Sequence, residues 1–253
     1  MSIRRYLNVF GNTVPWYGIC VAVALASMAI CLYVSLKKRP IPDQDETAFL
    51  MTFPLMCVFG VIASISLDAL FTGDWHTWLG DGECKFGLTF TGFLVGAIVF
   101  LFAYGRATHL GCHYLLNTFL PPLALAQSIG RVGCFLGGCC YGVPCAHGVY
   151  YPPGSLPFIN AGDTPLLPIQ LIEAGLLMCL AVLLLKTALA KRMYVYVVGA
   201  SIIRFAVEFF RFDNRGTLWN VSTISPQQFL SILLLVLFLF LFIFDRRRVQ
   251  WAR

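Results

Sequence analysis

The chain is 253 residues long, 58% hydrophobic and 12% charged, with a formal net charge of +6 and a mean hydropathy of +0.78. That charge density is about half the roughly 25% of a soluble domain, and at about 20 residues per span the length allows roughly six to eight transmembrane helices. No separate soluble domain of ordinary size fits beside them, and basic residues spread over short loops exclude nucleic-acid binding. The composition is that of an all-α polytopic membrane protein, read as one integral-membrane domain over residues 1–253.

Seven apolar stretches mark the expected spans: 17–36, 47–71, 86–104, 114–135, 167–190, 193–210 and 226–244. In hydrocarbon the backbone must satisfy its own polar groups, so these are helices. The first follows Arg4 and Arg5 but is too long for a signal peptide. Lys37, Lys38 and Arg39 close it as a stop-transfer pattern, so it counts as a span.

Basic residues set the expected orientation. The ends and loops after the first, third, fifth and seventh spans carry Lys37, Lys38, Arg39, Arg106, Lys186, Lys191, Arg192, Arg246, Arg247, Arg248 and Arg253. The other side carries Arg4, Arg5, Lys85, Arg211 and Arg215. Eleven against five places the C-terminus in the cytoplasm and the N-terminus outside, against the mild contrary pull of Arg4 and Arg5.

Two outer-side connections stand out. One, 72–85, holds Trp75 and Trp78, which suit interfacial anchors. The other, 141–166, is rich in Pro and Gly and contains Tyr150-Tyr151. It is read as a cap over a membrane-embedded site or as a plain surface loop. His76, His109 and His113 have no evident partner in the sequence, and Asp68 is read as a helix cap or headgroup contact.

Charges inside apolar segments cost roughly 2.5–3.5 kcal/mol each on insertion scales, so each needs a partner or a purpose. Here they are Arg131, Glu173, Arg204 and Glu208, with Arg211 near the end of its span. Arg204, Glu208 and Arg211 follow an i, i+4, i+7 spacing, within about 60° on one helical face. Gln170 and Glu173 share a face of the preceding span. Two readings stand. The arginines and glutamates are structural ion pairs, or the surplus guanidinium holds an anion. In a membrane the abundant anion is a lipid phosphate, which arginine grips with parallel hydrogen bonds.

Gly130-Arg131-Val132-Gly133 through Gly137-Gly138-Cys139-Cys140-Tyr141-Gly142 packs five glycines into thirteen residues. Such a run is expected to unwind and free backbone N–H groups for an anion. Close helix packing is the alternative, as for Gly92-x-x-x-Gly96.

These elements resemble, in order and over nearly the whole chain, the prolipoprotein diacylglyceryl transferase family. Trp16-Tyr17-Gly18 matches its Tyr-Gly pair, and the Gly130–Gly142 run matches its Gly-Arg-hydrophobic-Gly signature. Pro168-Ile169-Gln170-Leu171-Ile172-Glu173 is similar to Pro-Ser-Gln-Leu-Tyr-Glu. Arg204-Phe205-Ala206-Val207-Glu208-Phe209-Phe210-Arg211 is close to Arg-Phe-x-x-Glu-Phe-x-Arg. Ser225-Pro226-Gln227-Gln228-Phe229-Leu230-Ser231 resembles the closing Ser-x-Gly-Gln-x-x-Ser element.

The resemblance implies a multi-pass enzyme of the bacterial cytoplasmic (inner) membrane, with seven helices, an outer N-terminus and no cofactor. Such an enzyme moves the diacylglyceryl group from phosphatidylglycerol to the lipobox cysteine of a prolipoprotein. Arg131, Arg204 and Glu208 take the catalytic positions. Tyr17, Gly130, Gly133, Gly142, Gln170, Glu173 and Arg211 take the substrate-binding ones. The departures are Thr91-Gly92-Phe93 where the family has His-Gly-Gly, Cys134 for an asparagine, Cys139 for a glutamate and Ala200 for a tyrosine. They touch the acceptor side more than the donor side. A related transferase with another acceptor, and an anionic-lipid binder or transporter without chemistry, are the competing functions. The single Gly-rich break disfavours a transporter, whose halves carry paired breaks.

Cys134, Cys139, Cys140 and Cys145, with His147, lack the two-residue ligand spacing of structural zinc sites, so no metal is expected and a disulfide is preferred. A covalent role for Cys139 or Cys140 fails chemically, because an enzyme thioether is a poor leaving group. A thiolate base or a space-filling role stays open. Cys20, Cys31, Cys57 and Cys179 read as small hydrophobes in helices.

Overall fold

The structure is a computed structural model that describes residues 6–9, 12–38, 43–72, 90–108, 110–212, 225, 228–229, 231–233 and 235–236. Two short strands, β1 (Tyr6–Val9) and β2 (Asn12–Pro15), pair antiparallel with Tyr6 opposite Pro15 and Val9 opposite Asn12. Helices follow: α1 (Trp16–Lys38), α2 (Asp43–Thr72), α3 (Phe90–Ala107) and α4 (Cys112–Gly137). A strand β3 (Pro144–Val149), a short helix α5 (Leu156–Ala161), then α6 (Ile169–Lys186) and α7 (Arg192–Glu208) come next among the described residues. The chain is mostly helical, as its hydropathy requires, although the strands were not expected.

Four helical stretches are long and apolar enough to cross a membrane: Trp16–Lys37, Asp45–Leu67, Cys112–Gly137 and Ile169–Lys186, with Gly92–Ala107 a shorter apolar helix. The expected spans 17–36, 47–71, 86–104, 114–135 and 167–190 overlap these helices and differ at their ends, whereas 193–210 falls on α7, which is not among them. The stretch 167–190 divides, because Thr187 turns extended (ψ 143°) after α6 and a 3₁₀ turn, Leu189–Lys191, precedes α7. Thr187 Oγ1 donates to Leu183 O at 2.7 Å, taking up one of the last helical carbonyls. Most of the expected seventh span, the tryptophan loop with Cys84, and His109 lie outside the described residues.

The described chain falls into two compact units, 1–31 with 120–253 and 32–119. In the smaller, α2 and α3 pack through small residues and stacked rings. A Cβ on Gly96 would stand 2.4 Å from Ala63 Cβ, and one on Gly60 would strike the Phe93 ring at 2.6 Å. These glycines let the helices approach closely, as the packing reading of Gly96 anticipated. Phe59 and Phe100 stack at 5.0 Å, Phe100 and Tyr104 at 5.2 Å, and Tyr104 Oη donates to Ala48 O at 3.1 Å.

The larger unit joins the start of α1 and the second half of α4 to β3, α5, α6 and α7. Ser128 Oγ donates to Ala174 O at 2.8 Å, tying α4 to α6. Gln127 hydrogen-bonds to the buried Tyr196 hydroxyl, tying α4 to α7. A Cβ on Gly199 would stand 2.7 Å from Leu180 Cδ1, so α7 lies close on α6.

The glycine-rich run does not unwind where expected. α4 stays helical through Gly130 and Gly133 to Gly137, and the break comes only afterwards. The roughly 1 kcal/mol cost of a helical glycine is offset at Gly133 by close packing on α1, whose Cys20 Cβ would lie 2.8 Å from an added Cβ.

Candidate functional site: an arginine–glutamate chain

Five side chains of the larger unit form one alternating sequence of charge. Glu173 Oε1, on α6, lies 3.0 Å from Arg131 Nε on α4 and 3.4 Å from Arg204 Nη1 on α7. Arg204 reaches on with Nη2 to Glu208 Oε2 at 2.8 Å, and Glu208 Oε2 stands 3.9 Å from Arg211 Nε. Arg204 and Glu208 share one face of α7, as the i, i+4 spacing predicts, whereas Arg211 lies past the helix end at Glu208, in the segment bridged to Gly142. Every side chain in the chain is at most 15% exposed. Three guanidinium groups and two carboxylates make up this set among the described residues. At such burial each charge is expensive without a partner of opposite sign.

Backbone pairing beyond the helix ends holds the chain of charges in place. Gly142 N donates to Leu167 O at 3.1 Å, Leu167 N to Val143 O at 2.9 Å, Val143 N to Phe210 O at 3.0 Å and Phe212 N to Tyr141 O at 3.1 Å. The segments after α4, before α6 and after α7 are thereby stitched together, with Gly142 and Arg211 as a bridged pair. A Cβ on Gly142 would meet Leu167 O at 2.6 Å and Phe210 O at 2.9 Å, so only glycine fits. The structure therefore gives Gly142 a packing reason. Gly130 differs: a Cβ there would meet nothing within 4 Å, leaving room beside Arg131.

Segment 141–166 is folded. Tyr141, Tyr151 and Leu166 bury together, with Phe135 and Ala161 against them. Ser155 Oγ caps α5 by accepting from Phe158 N at 3.2 Å, and Asn160 Nδ2 donates to Tyr141 Oη at 2.6 Å. Gln170, fully buried, donates from Nε2 to Cys139 O at 2.7 Å and to Tyr151 Oη at 3.3 Å. Its Oε1 is buried with no hydrogen-bond partner among the described residues, an acceptor facing no donor. Tyr141, Tyr151 and Asn160 are thus contacts that the sequence signals only as an aromatic, Pro/Gly-rich segment.

Of the expected site residues, Arg131, Glu173, Arg204, Glu208 and Arg211 come together directly. Tyr17 lies against Gly133, whose added Cβ would be 3.4 Å from Tyr17 Cδ2. Gln170 sits on the α6 face of Glu173 but braces Cys139. Ser225 and Gln228 form a reciprocal cap: Gln228 N donates to Ser225 Oγ and Ser225 N to Gln228 Oε1, both at 3.1 Å. That motif begins a helical turn.

No disulfide joins the described cysteines, although the sequence favours one. Instead the Cys134, Cys139 and Cys140 sulfurs lie within 4.8 Å of one another. Hydrogen bonding with Cys134 and Cys140, then burial, push the Cys139 thiol far above its ordinary range. In that state it is a neutral thiol and a poor base.

A family model described as prolipoprotein diacylglyceryl transferase matches residues 5–244. A relative from Clostridium tetani, named phosphatidylglycerol–prolipoprotein diacylglyceryl transferase, is 34% identical over 96% of this chain and 98% of its own length. A second enzyme of that name from Clostridium perfringens is 28% identical over 90% of each chain. A relative of the same name from Dehalococcoides mccartyi is 32% identical, but the match spans 51% of this chain and about half, 49%, of that relative.

Proposed function

The chain belongs to the prolipoprotein diacylglyceryl transferase family, and from that premise we propose that it moves diacylglyceryl from phosphatidylglycerol to a prolipoprotein's lipobox cysteine. The observation that carries this reading is the buried Arg131–Glu173–Arg204–Glu208–Arg211 chain, in which two carboxylates orient three guanidinium groups. Guanidinium groups held in this way suit the oxygens of a phosphodiester, which arginine grips with parallel hydrogen bonds.

The residues divide the work as follows. Arg131 and Arg204, already oriented by Glu173, receive the phosphate oxygens and stabilise the charge that grows on them as the glyceryl carbon–oxygen bond breaks. Glu208 holds the Arg204 fork from the other side, and Arg211 adds a second cation near that carboxylate. The Gln170 Oε1 acceptor suits a glycerol hydroxyl of the headgroup. Gly130 leaves space for the lipid, while Gly133 and Tyr17 set the α1–α4 approach and Gly142 fixes the stitched segments. The acceptor sulfur forms its bond to the glyceryl carbon, its proton leaves to solvent, and glycerol phosphate departs with the bonding pair.

In this reading the protein spans the bacterial cytoplasmic membrane seven times as a single domain, with its N-terminus outside and C-terminus inside. The eleven-to-five distribution of basic residues supports that orientation. Segment 141–166 lies on the outer side as the cap, a role its buried tyrosines and capped helix support.

The test is incubation of the purified protein in phosphatidylglycerol vesicles with a lipobox peptide, read by mass spectrometry. A peptide carrying one diacylglyceryl group in thioether linkage, with glycerol phosphate released, is the expected result. Unchanged lipid would make the site a binding or transport site. A different modified acceptor would assign another lipid transfer.

A further inference from the structure

The end of α4 explains how three sulfur atoms come to converge. Gly138 adopts φ 71°, its N–H donates to Phe135 O at 3.2 Å, and Cys139 N donates to Cys134 O at 3.1 Å. This is a Schellman ending, which brings the side chains at the positions of Cys134 and Cys139 into contact. An apolar pair usually occupies those positions. Here both are thiols. Cys140 follows at φ 60°, a left-handed conformation that non-glycine residues hold where their surroundings over-determine it. Gln170 pins the turn through Cys139 O at 2.7 Å.

The three Sγ atoms lie within 4.8 Å of one another. Tetrahedral zinc, with Zn–S of about 2.3 Å, sets its ligand sulfurs about 3.8 Å apart, so side-chain rotations of about 1 Å complete the site. Three protein ligands and one open position describe a catalytic zinc site rather than a structural one. The helix C-terminus also favours a cation. Arg131 precedes Cys134 by three residues on the same face of α4, setting the cluster beside the charge chain. The acceptor thiol has to lose its proton before it can attack, and a thiolate is the better metal ligand.

We propose that Cys134, Cys139 and Cys140 bind a soft divalent cation of the zinc class, whose open fourth position takes the acceptor cysteine as thiolate. The proposal rests on the transfer reaction proposed above. The incoming thiol releases its proton to solvent as the metal–sulfur bond forms. Its sulfur then attacks the glyceryl carbon, the carbon–oxygen bond breaks, and the electron pair leaves on glycerol phosphate. The metal keeps its oxidation state. The product thioether, a weaker ligand than thiolate, dissociates and reopens the position.

Cobalt(II) added to the full chain, purified under reducing conditions, reads the site without reference to activity. One equivalent should give a thiolate-to-cobalt charge-transfer band with tetrahedral visible bands, and zinc should displace it. A lipobox peptide should shift those bands, whereas the same peptide with serine for cysteine should not. Cys134→Ser and Cys139→Ser should each weaken cobalt binding at least tenfold, while Cys179→Ser, an exposed position on α6, should bind as wild type. Should either variant misfold, Cys140→Ser, beyond the helix end, reads the same loss. Absence of the charge-transfer band, a disulfide in place of the thiols, or bands indifferent to the thiol peptide would overturn the proposal. Transfer that persists under chelation and in Cys139→Ser would overturn the metal while leaving the transferase reading intact. Bands that respond to peptide with no transfer would support the metal site and overturn that reading instead.

Discussion

Glu173 on α6 holds Arg131 on α4 through a 3.0 Å contact between Oε1 and Nε, and the same oxygen lies 3.4 Å from Arg204. One carboxylate oxygen therefore orients two guanidinium groups from two other helices. Glu173→Gln keeps the shape and removes the charge that Arg131 and Arg204 share. Breaking such a buried pair costs about 3–5 kcal/mol. The expected outcome is a lower melting temperature in detergent together with at least a tenfold fall in kcat. Wild-type turnover in Glu173→Gln would show that the phosphate alone orders the arginines.

Arg204 tests geometry apart from charge. Its two terminal nitrogens serve different carboxylates, Nη1 to Glu173 at 3.4 Å and Nη2 to Glu208 at 2.8 Å. Lysine carries the same charge on one nitrogen and lacks the planar fork that spans both. Arg204→Lys should fold but lose most of its turnover, and Arg204→Ala should lose roughly 10²–10³ in kcat, the usual effect of removing a transition-state donor. Equal activity of Arg204→Lys and wild type in the vesicle assay would reduce the residue to a point charge.

Apolar runs made the membrane class legible, and rotational arithmetic placed Arg204 and Glu208 on one face; it missed Arg211, because α7 ends at Glu208 and the bridge to Gly142 positions that residue instead. Glycine density misled at Gly130 and Gly133, because propensity describes an isolated helix, whereas Gly133 gains close packing on Cys20. The sulfur cluster was hidden by spacing rules written for extended ligand loops. A Schellman ending folds Cys139 back onto Cys134, and sequence spacing does not show that fold. Tyr151 and Asn160 were equally silent, since their partners depend on how segment 141–166 folds.

Tyr151 carries a pH signature. Burial raises the pKa of its phenol above 10.0, and the hydrogen bond from Gln170 pulls it back only in part. The folded state thus keeps the phenol proton more tightly than the unfolded chain does. Its stabilising contribution is whole below pH 10 and disappears as pH rises through the folded value. Tyr151→Phe loses the hydroxyl contact to Gln170, worth about 1 kcal/mol, and has no proton to lose. Melting curves across pH 7–11 should show the variant below wild type at neutral pH, with the gap closing above about pH 10. A constant gap would assign the alkaline loss elsewhere.

Three glycines of one motif should respond differently to the same methyl group. At Gly142 an added Cβ would stand 2.6 Å from Leu167 O and 2.9 Å from Phe210 O, backbone atoms that cannot rotate away. Gly142→Ala should therefore separate the stitched segments, dislodge Arg211 and cost about 1–3 kcal/mol, with activity lost in parallel. At Gly133 the obstacles are Cys20 Cβ at 2.8 Å and Tyr17 Cδ2 at 3.4 Å. There α1 is able to yield by a few tenths of an ångström, so Gly133→Ala should cost less. At Gly130 nothing stands within 4 Å, and alanine gains up to about 1 kcal/mol of helix propensity. Gly130→Ala should melt at or above the wild-type temperature yet raise KM for phosphatidylglycerol, because the methyl enters the space beside Arg131 that the lipid needs. Melting temperature and KM measured on all three variants separate packing from binding. An unchanged KM in Gly130→Ala would move the lipid to another face of α4.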